Sequence, residues 1–240
     1  DIYTAQERRY AITSLSDQDV TFVQLEYRSP KHVPENEMFY SRADNSYARS
    51  FGIRRKGYLH MCNFVSNMHT YPGGLSSKYD YTIVHDDESG YRKSMTIDPV
   101  EVMERSGQHI GAFAVGQRLK EGAPHQGHLD TRVGLWELTK KFIEDTGLIP
   151  ENQKLRSLMT DPNAAWNFHF LDWCDTYVIN NLVFESPLWK EWIRCVNESG
   201  GIYKYRWGDN EIVSLFANMT QPGIVNLGLV ADGTHDQGMF

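Results

Sequence analysis

Three carboxylates stand side by side at the end of an apolar run. Asp86, Asp87 and Glu88 follow Tyr79-Asp80-Tyr81-Thr82-Ile83-Val84-His85. Adjacent carboxylates repel one another, and the arrangement is costly unless solvent or a cation offsets it. At the C-terminal end of a strand in a parallel sheet, such a cluster faces the ligand crevice. Hard oxygen ligands there suit Mn²⁺ or Mg²⁺, which in turn binds a diphosphate. An acidic turn after a strand, with no ligand, accounts for the same residues.

A second group runs from Gly200-Gly201-Ile202-Tyr203 to Arg206-Trp207-Gly208-Asp209. The glycine pair lets backbone approach a ligand closely. The Trp207 indole offers a flat face to a sugar ring. Asp209, at the start of a helix, either caps it or takes a proton from an acceptor hydroxyl. A third group interleaves Trp166, Phe168, Phe170, Trp173 and Tyr177 with Asp172 and Asp175, which suits core packing or sugar stacking. His125, His128 and Asp130 have metal-like spacing, but in a Gly-rich stretch that reads as solvated loop. Asn197-Glu198-Ser199 and Asn218-Met219-Thr220 are sequons, relevant only in a secretory lumen.

The elements that must position these residues read as one α/β domain over residues 1–240, with no linker, repeat or low-complexity tract. Residues 2–4, 9–18 and 20–27 read as strand, helix and strand, a βαβ unit of a parallel sheet. Residues 29–44 are loop. Helices are expected at 61–68, after Asp130 or Thr131 up to Gly147, at 189–196 closed by Gly200-Gly201, and from Asp209 through Phe216. Strands are expected at 79–84 and 95–102, and a mobile loop at 107–130. Lys+Arg 24 against Asp+Glu 31 gives a net charge of −7, which argues against a protein that clamps a nucleic-acid backbone. The 40% hydrophobic and 23% charged composition is globular. No apolar run is long enough to span a bilayer in this chain. Three cysteines, Cys62, Cys174 and Cys195, allow at most one bridge and form no zinc pattern.

At these residues the sequence resembles the fungal Golgi α-1,2-mannosyltransferases. Residues 58–66, Tyr-Leu-His-Met-Cys-Asn-Phe-Val-Ser, are similar to the family's Y-x-x-M-C-R-F-x-S. Tyr79-Asp80-Tyr81 leads into the acidic triplet as the family's Y-x-Y leads into Glu-Pro-Asp. Leu135-Trp136 resembles the family's L-W opening of a helix, and residues 200–209 resemble G-G-F-F-Y-E-R-W-G-D. The resemblance covers roughly residues 57–217. It implies a GT-A fold, a mixed and mostly parallel sheet flanked by helices, with residues 1–90 as the nucleotide-sugar-binding half and 91–240 as the acceptor-binding half. It also implies that Asp86, Asp87 and Glu88 hold metal and diphosphate. The family's metal-ligating His, four residues after the WGD Asp, falls on Val213, and its candidate nucleophilic Glu falls on Tyr177. Inverting GT-A galactosyltransferases carry their base in W-G-G-E-D-D and a metal His further downstream. By that likeness Asp209 is the base and His235 the third metal ligand. The opening Thr4-Ala5-Gln6-Glu7-Arg8 resembles that of sugar-nucleotide transferases, which makes Thr4, Gln6 and Arg8 donor contacts.

The expectation is therefore a metal-dependent glycosyltransferase that uses Mn²⁺ or Mg²⁺. Its donor is a nucleoside-diphosphate sugar (GDP-mannose, UDP-xylose or UDP-galactose), and its acceptor a hydroxyl of a glycan or glycoprotein. Asp209 serves as base. Trp207, Trp173, Tyr177, Gly200 and Gly201 shape the acceptor site. Retention of configuration would need Asp172, Asp175 or the leaving phosphate in place of the family's Glu. A nucleotidyltransferase or phosphohydrolase could use the same carboxylates without an acceptor sugar, and a carbohydrate-binding module would bind glycans equally well in EDTA. The family resemblance implies the Golgi lumen; a chain with no anchor before Asp1 would be cytoplasmic.

Overall fold

The computed structural model describes residues 29–39, 55–70, 78–85, 89–91, 95–113, 131–161, 176–229 and 233–235. A four-stranded sheet organises them. Its strands are β1 (Tyr81–Val84), β3 (Ile110–Ala112), β4 (Tyr177–Asn180) and β5 (Val225–Asn226), in the order β1-β4-β3-β5. β4 runs antiparallel to both β1 and β3, and β3 runs parallel to β5. Three strands therefore share a direction and one opposes them. The register aligns Val84, Tyr177, Ala112 and Asn226 in one row across the sheet. A separate antiparallel pair joins β2 (Ser89–Tyr91) to β6 (Gly233–His235).

Helices α1 (Arg55–Asn67), α2 (Pro99–Ser106), α3 (Leu135–Thr146), α4 (Gln153–Thr160), α5 (Leu182–Glu185), α6 (Pro187–Ser199), α7 (Gly201–Tyr205) and α8 (Asp209–Thr220) complete the described part. Their ends follow local chemistry. Ser186 accepts from the Trp189 N–H ahead of Pro187, and α6 stops at Gly200, whose φ of 70° suits a residue without Cβ. α3 stops the same way at Gly147, with φ 65°.

Side chains alternate across β4. Tyr177 and Ile179 join the large core with Trp189, Trp192, Leu135 and Leu59, while Val178 packs on the other face with Met103, Phe113 and Leu227. Both faces of the sheet are thus covered, as parallel sheets require. Trp189 and Trp192 are fully buried, and each removes enough apolar surface from water to stabilise the fold by about 2–3 kcal/mol.

Several expectations need correction. Residues 95–102 do not form a strand: Asp98 accepts from the Val100 N–H and Pro99 occupies the first turn, so the chain enters α2 instead. The segment expected as loop from 107 contains β3. Val133, expected on a helix face, lies before α3 and is 49% exposed. Gly208, not Asp209, is the cap residue of α8. The expected βαβ unit of residues 2–27 and the His125/His128/Asp130 cluster lie outside the described residues.

Candidate functional site

The row formed by Val84, Tyr177, Ala112 and Asn226 marks one end of the sheet, where the three parallel strands finish and β4 begins. Ligands of open α/β sheets bind at such C-terminal ends. Beyond the row, His85 Nδ1 and Thr176 Oγ1 lie 2.8 Å apart, and the Phe113 N–H donates to the Thr176 carbonyl. His85 precedes Asp86 in the chain and Thr176 follows Asp175, so these described neighbours of two candidate residues stand together.

Asp209 joins this end from the helical layer. It is 8% exposed, at the first position of α8, and accepts from the Tyr177 hydroxyl at 3.3 Å on Oδ2. Tyr58 and Cys62, one turn apart on α1, complete its surroundings. Burial and then the charge of Asp209 push the Cys62 thiol well above its ordinary value. Tyr58 is also raised, first by Cys62 and then by burial, against the opposing effect of Arg206. Cys62 is a free, fully buried thiol held protonated, and therefore inert. Arg206 holds a left-handed conformation, φ 63°, the only non-glycine with positive φ among the described residues. Its guanidinium lies 4.2 Å from the Tyr58 ring centroid, a cation–π contact. A left-handed non-glycine costs free energy and persists only where surrounding contacts fix it.

Two residues along α8, Glu211 pairs with Arg132, with Oε1 accepting from Nη2 at 2.8 Å and from Nε at 3.2 Å. Burial opposes ionisation of Glu211, but the Arg132 charge and its hydrogen bonds outweigh it, so the carboxyl sits below its ordinary value.

The expected acceptor residues are placed unevenly. Tyr177 is fully buried, so its role is to hold Asp209 rather than to present a face. Trp207 is 2% exposed and donates its indole N–H to the Val133 carbonyl at 2.9 Å. A Cβ on Gly201 would lie 2.3 Å from the Trp207 ring. That glycine therefore serves close packing against the indole, and the ring does not stand open for sugar stacking. Gly200 lies at the rim of a cavity lined by both amide and apolar side chains. Val213, where the family places a metal-ligating His, is 1% exposed in the core and has no ligating group.

His235 closes β6, and its backbone partner in β2 is Ser89, the residue after Glu88. The register thus brings the chain at His235 beside the chain leaving the acidic triplet. Thr4, Gln6, Arg8, Asp86, Asp87, Glu88, Asp172, Trp173 and Asp175 themselves lie outside the described residues. Among the described residues no group of three or more His, Cys, Asp or Glu side chains could hold a metal, and no helix is long and apolar enough to cross a membrane.

Sequence reasoning missed Tyr58, Cys62, Arg206 and the Arg132–Glu211 pair. Tyr58 and Cys62 fall in the quoted α1 motif at helical spacing, the one signal that could have found them.

Comparison with known proteins gives consistent matches. The family profile described as "Glycolipid 2-alpha-mannosyltransferase" matches residues 3–223. The chain is 25% identical over 223 residues to the glycolipid 2-alpha-mannosyltransferase of Saccharomyces cerevisiae, covering 90% of this chain and 47% of that protein. It is 26% identical over 170 residues to the O-glycoside alpha-1,2-mannosyltransferase omh1 of Schizosaccharomyces pombe, covering 68% and 40% respectively. The chain therefore spans less than half the length of these curated relatives. Among solved structures, the Mn/GDP form of core-mannan synthase A from Aspergillus fumigatus superposes with a TM-score of 0.68 at 16% identity. That match covers 92% of this chain and 59% of the other, and it shows the GT-A mixed sheet flanked by helices.

Proposed function

The chain belongs to the glycolipid 2-alpha-mannosyltransferase family, and from that premise we propose that it is a metal-dependent glycosyltransferase of glycan biosynthesis. The observation that carries this reading is the tie between Tyr177 in the terminal row of the sheet and the buried carboxylate of Asp209. It sets a proton acceptor at the end of the sheet where three parallel strands finish.

In this reading the chain transfers a sugar from a nucleoside diphosphate to a hydroxyl of a glycan or glycoprotein, in the Golgi lumen. The family description favours GDP-mannose over UDP-xylose and UDP-galactose. Thr4, Gln6 and Arg8 hold the base and ribose. Asp86, Asp87 and Glu88, with His235, would hold Mn²⁺ or Mg²⁺: a set of carboxylate oxygens and one imidazole suits a hard divalent cation. The pairing of Ser89 with His235 supports that grouping. When bound, the ion offsets the charge of the leaving diphosphate.

Asp209 takes the acceptor proton. Its carboxyl is oriented by the Tyr177 hydroxyl. The position of the family's candidate nucleophilic Glu is Tyr177, a phenol already engaged with Asp209. That substitution favours inversion by a single base over a covalent intermediate on this residue, with Asp172 and Asp175 as the carboxylates a retaining route would need. Trp207, Gly200 and Gly201 set the shape of the acceptor side from within its wall, together with Trp173.

Thermal denaturation with a panel of nucleotide sugars, each with and without Mn²⁺, tests the reading. A donor at a hundred times its dissociation constant stabilises by about 2.7 kcal/mol, which raises the midpoint by a few degrees. The expected result is a metal-dependent rise for one donor. The absence of a metal-dependent rise with every sugar nucleotide, glycan binding unchanged by EDTA, or phosphate release without an acceptor would contradict it.

A further inference from the structure

α1 carries a second polar stripe, apart from Tyr58 and Cys62. Asn63 and Asn67, spaced i and i+4, continue through Thr70 along one wall of a cavity of about 250 Å³. Asn197 and Gly200 at the end of α6 form the facing wall, with Tyr203 from α7. The residues around Asp209 do not contribute to it.

The carboxamides are fixed before any ligand arrives. Asn197 Nδ2 donates to Asn67 Oδ1 at 2.8 Å, and Asn67 Nδ2 donates to the Asn63 carbonyl at 2.9 Å. Tyr203 Oη lies 3.1 Å from His60 Nδ1. The lining contains no carboxylate, ammonium or guanidinium group. His32 is the one imidazole of the lining and no lysine or arginine joins it, while Pro30, Val196 and Ile202 give a ring an apolar face beside the amides. A carboxamide offers a donor and an acceptor together, which is what a sugar hydroxyl requires. Gly200 makes the close rim possible: a Cβ there would lie 2.5 Å from Val33 Cγ2, so the loop of residues 30–33 packs directly onto it.

We propose that this cavity is an accessory saccharide subsite, holding one neutral sugar ring of the acceptor away from the reacting hydroxyl. The inference rests on the glycosyltransferase reading for its ligand class, and on the cavity alone for its place.

The test is a titration of the full chain with methyl α-D-mannopyranoside and with α-1,2-linked mannobiose, following the side-chain amide NMR signals of Asn63, Asn67 and Asn197. Saturable shifts of these signals are expected. Asn63→Ala should weaken apparent affinity at least tenfold, while keeping the backbone carbonyl that Asn67 uses. Asn63→Trp, which fills the cavity, should do the same. Unchanged affinity in both variants, or no amide shifts in the wild type, would overturn the assignment. Adding GDP-mannose separates the two readings. Nucleotide binding without amide shifts sinks the subsite alone, whereas amide shifts without nucleotide binding uphold a saccharide site and sink the transferase.

Discussion

The Tyr177 hydroxyl donates to Asp209 Oδ2 at 3.3 Å, both residues being almost wholly buried, and so joins the first residue of β4 to the first residue of α8. Tyr177→Phe should cost about 1–3 kcal/mol of stability by removing one donor from a buried carboxyl. If Asp209 is the base, losing the hydroxyl that orients it lowers the transfer rate of this variant while donor binding is kept. Asp209→Ala should spare donor binding and lower transfer by about a hundredfold or more. An Asp209→Ala variant that transfers sugar at the wild-type rate removes Asp209 from the base role.

Arg132 is 9% exposed and has Glu211 as its carboxylate partner. Glu211→Ala removes a carboxylate partner that accepts two hydrogen bonds from that buried guanidinium and should destabilise the protein by about 3 kcal/mol in denaturant unfolding. The pH dependence has a defined sign. Because the folded pKa of Glu211 lies below its ordinary value of 4.5, its contribution is fully present above that value and is lost as pH falls through the folded pKa. The variant should lack that acid-side loss. An equal loss in variant and wild type would contradict the pairing.

His69 stacks on Phe184 at 5.0 Å and accepts from the Trp189 indole N–H through Nδ1 at 3.4 Å. Burial, with Lys190 as the lesser cause, lowers its pKa from 6.5 to about 4. The neutral ring is the one that fits. Its stabilisation is complete above pH 6.5 and is lost as pH falls towards 4, because the unfolded chain binds the proton first. The slope is bounded by about 1.4 kcal/mol per pH unit and is smaller for a partly solvated ring. His69→Phe should flatten the stability curve in this window, and an unaltered slope would show that the ring does not titrate with unfolding.

Neither sequon presents an available amide. Asn197 of α6 donates Nδ2 to Asn67 Oδ1 at the end of α1, and Asn218, 2% exposed in α8, donates Nδ2 to the Ser214 carbonyl at 2.8 Å. Glycan attachment needs an exposed, accessible Asn. Protein from a secretory host should show no glycosidase-sensitive mass at either position, and a glycopeptide containing Asn197 or Asn218 would contradict the packing described.

What could be read from sequence was local. Gly147 and Gly200 ended helices as expected, because a left-handed stop is written in one residue. Asp209 marked the start of α8, although Gly208 takes the cap position, and α6 began two residues before the expected Trp189. β4 was not legible: Tyr177-Val178-Ile179-Asn180 is buried on both faces, so it has no polar alternation, and its first residue sat among aromatics that drew the eye to stacking. β3, Ile110-Gly111-Ala112, is too short to show any period. In the candidate site, Asp209 and its Trp207-Gly208 lead were visible as a contiguous motif. The contact of Asp209 with Tyr177, and its closeness to Tyr58 and Cys62, depend on how α1, β4 and α8 pack, which no local pattern encodes. Burial of Trp207 was likewise hidden, since an indole suits a sugar or a core equally well.

Calorimetric titration of Mn²⁺ into the protein, with GDP present and absent, tests the central claim most directly. The account predicts ion uptake that strengthens when GDP is bound, is lost in Asp87→Ala and Glu88→Ala, and weakens in His235→Ala while Val213→Ala leaves it unchanged. No uptake in either condition, or uptake identical in the wild type and the carboxylate variants, would contradict it.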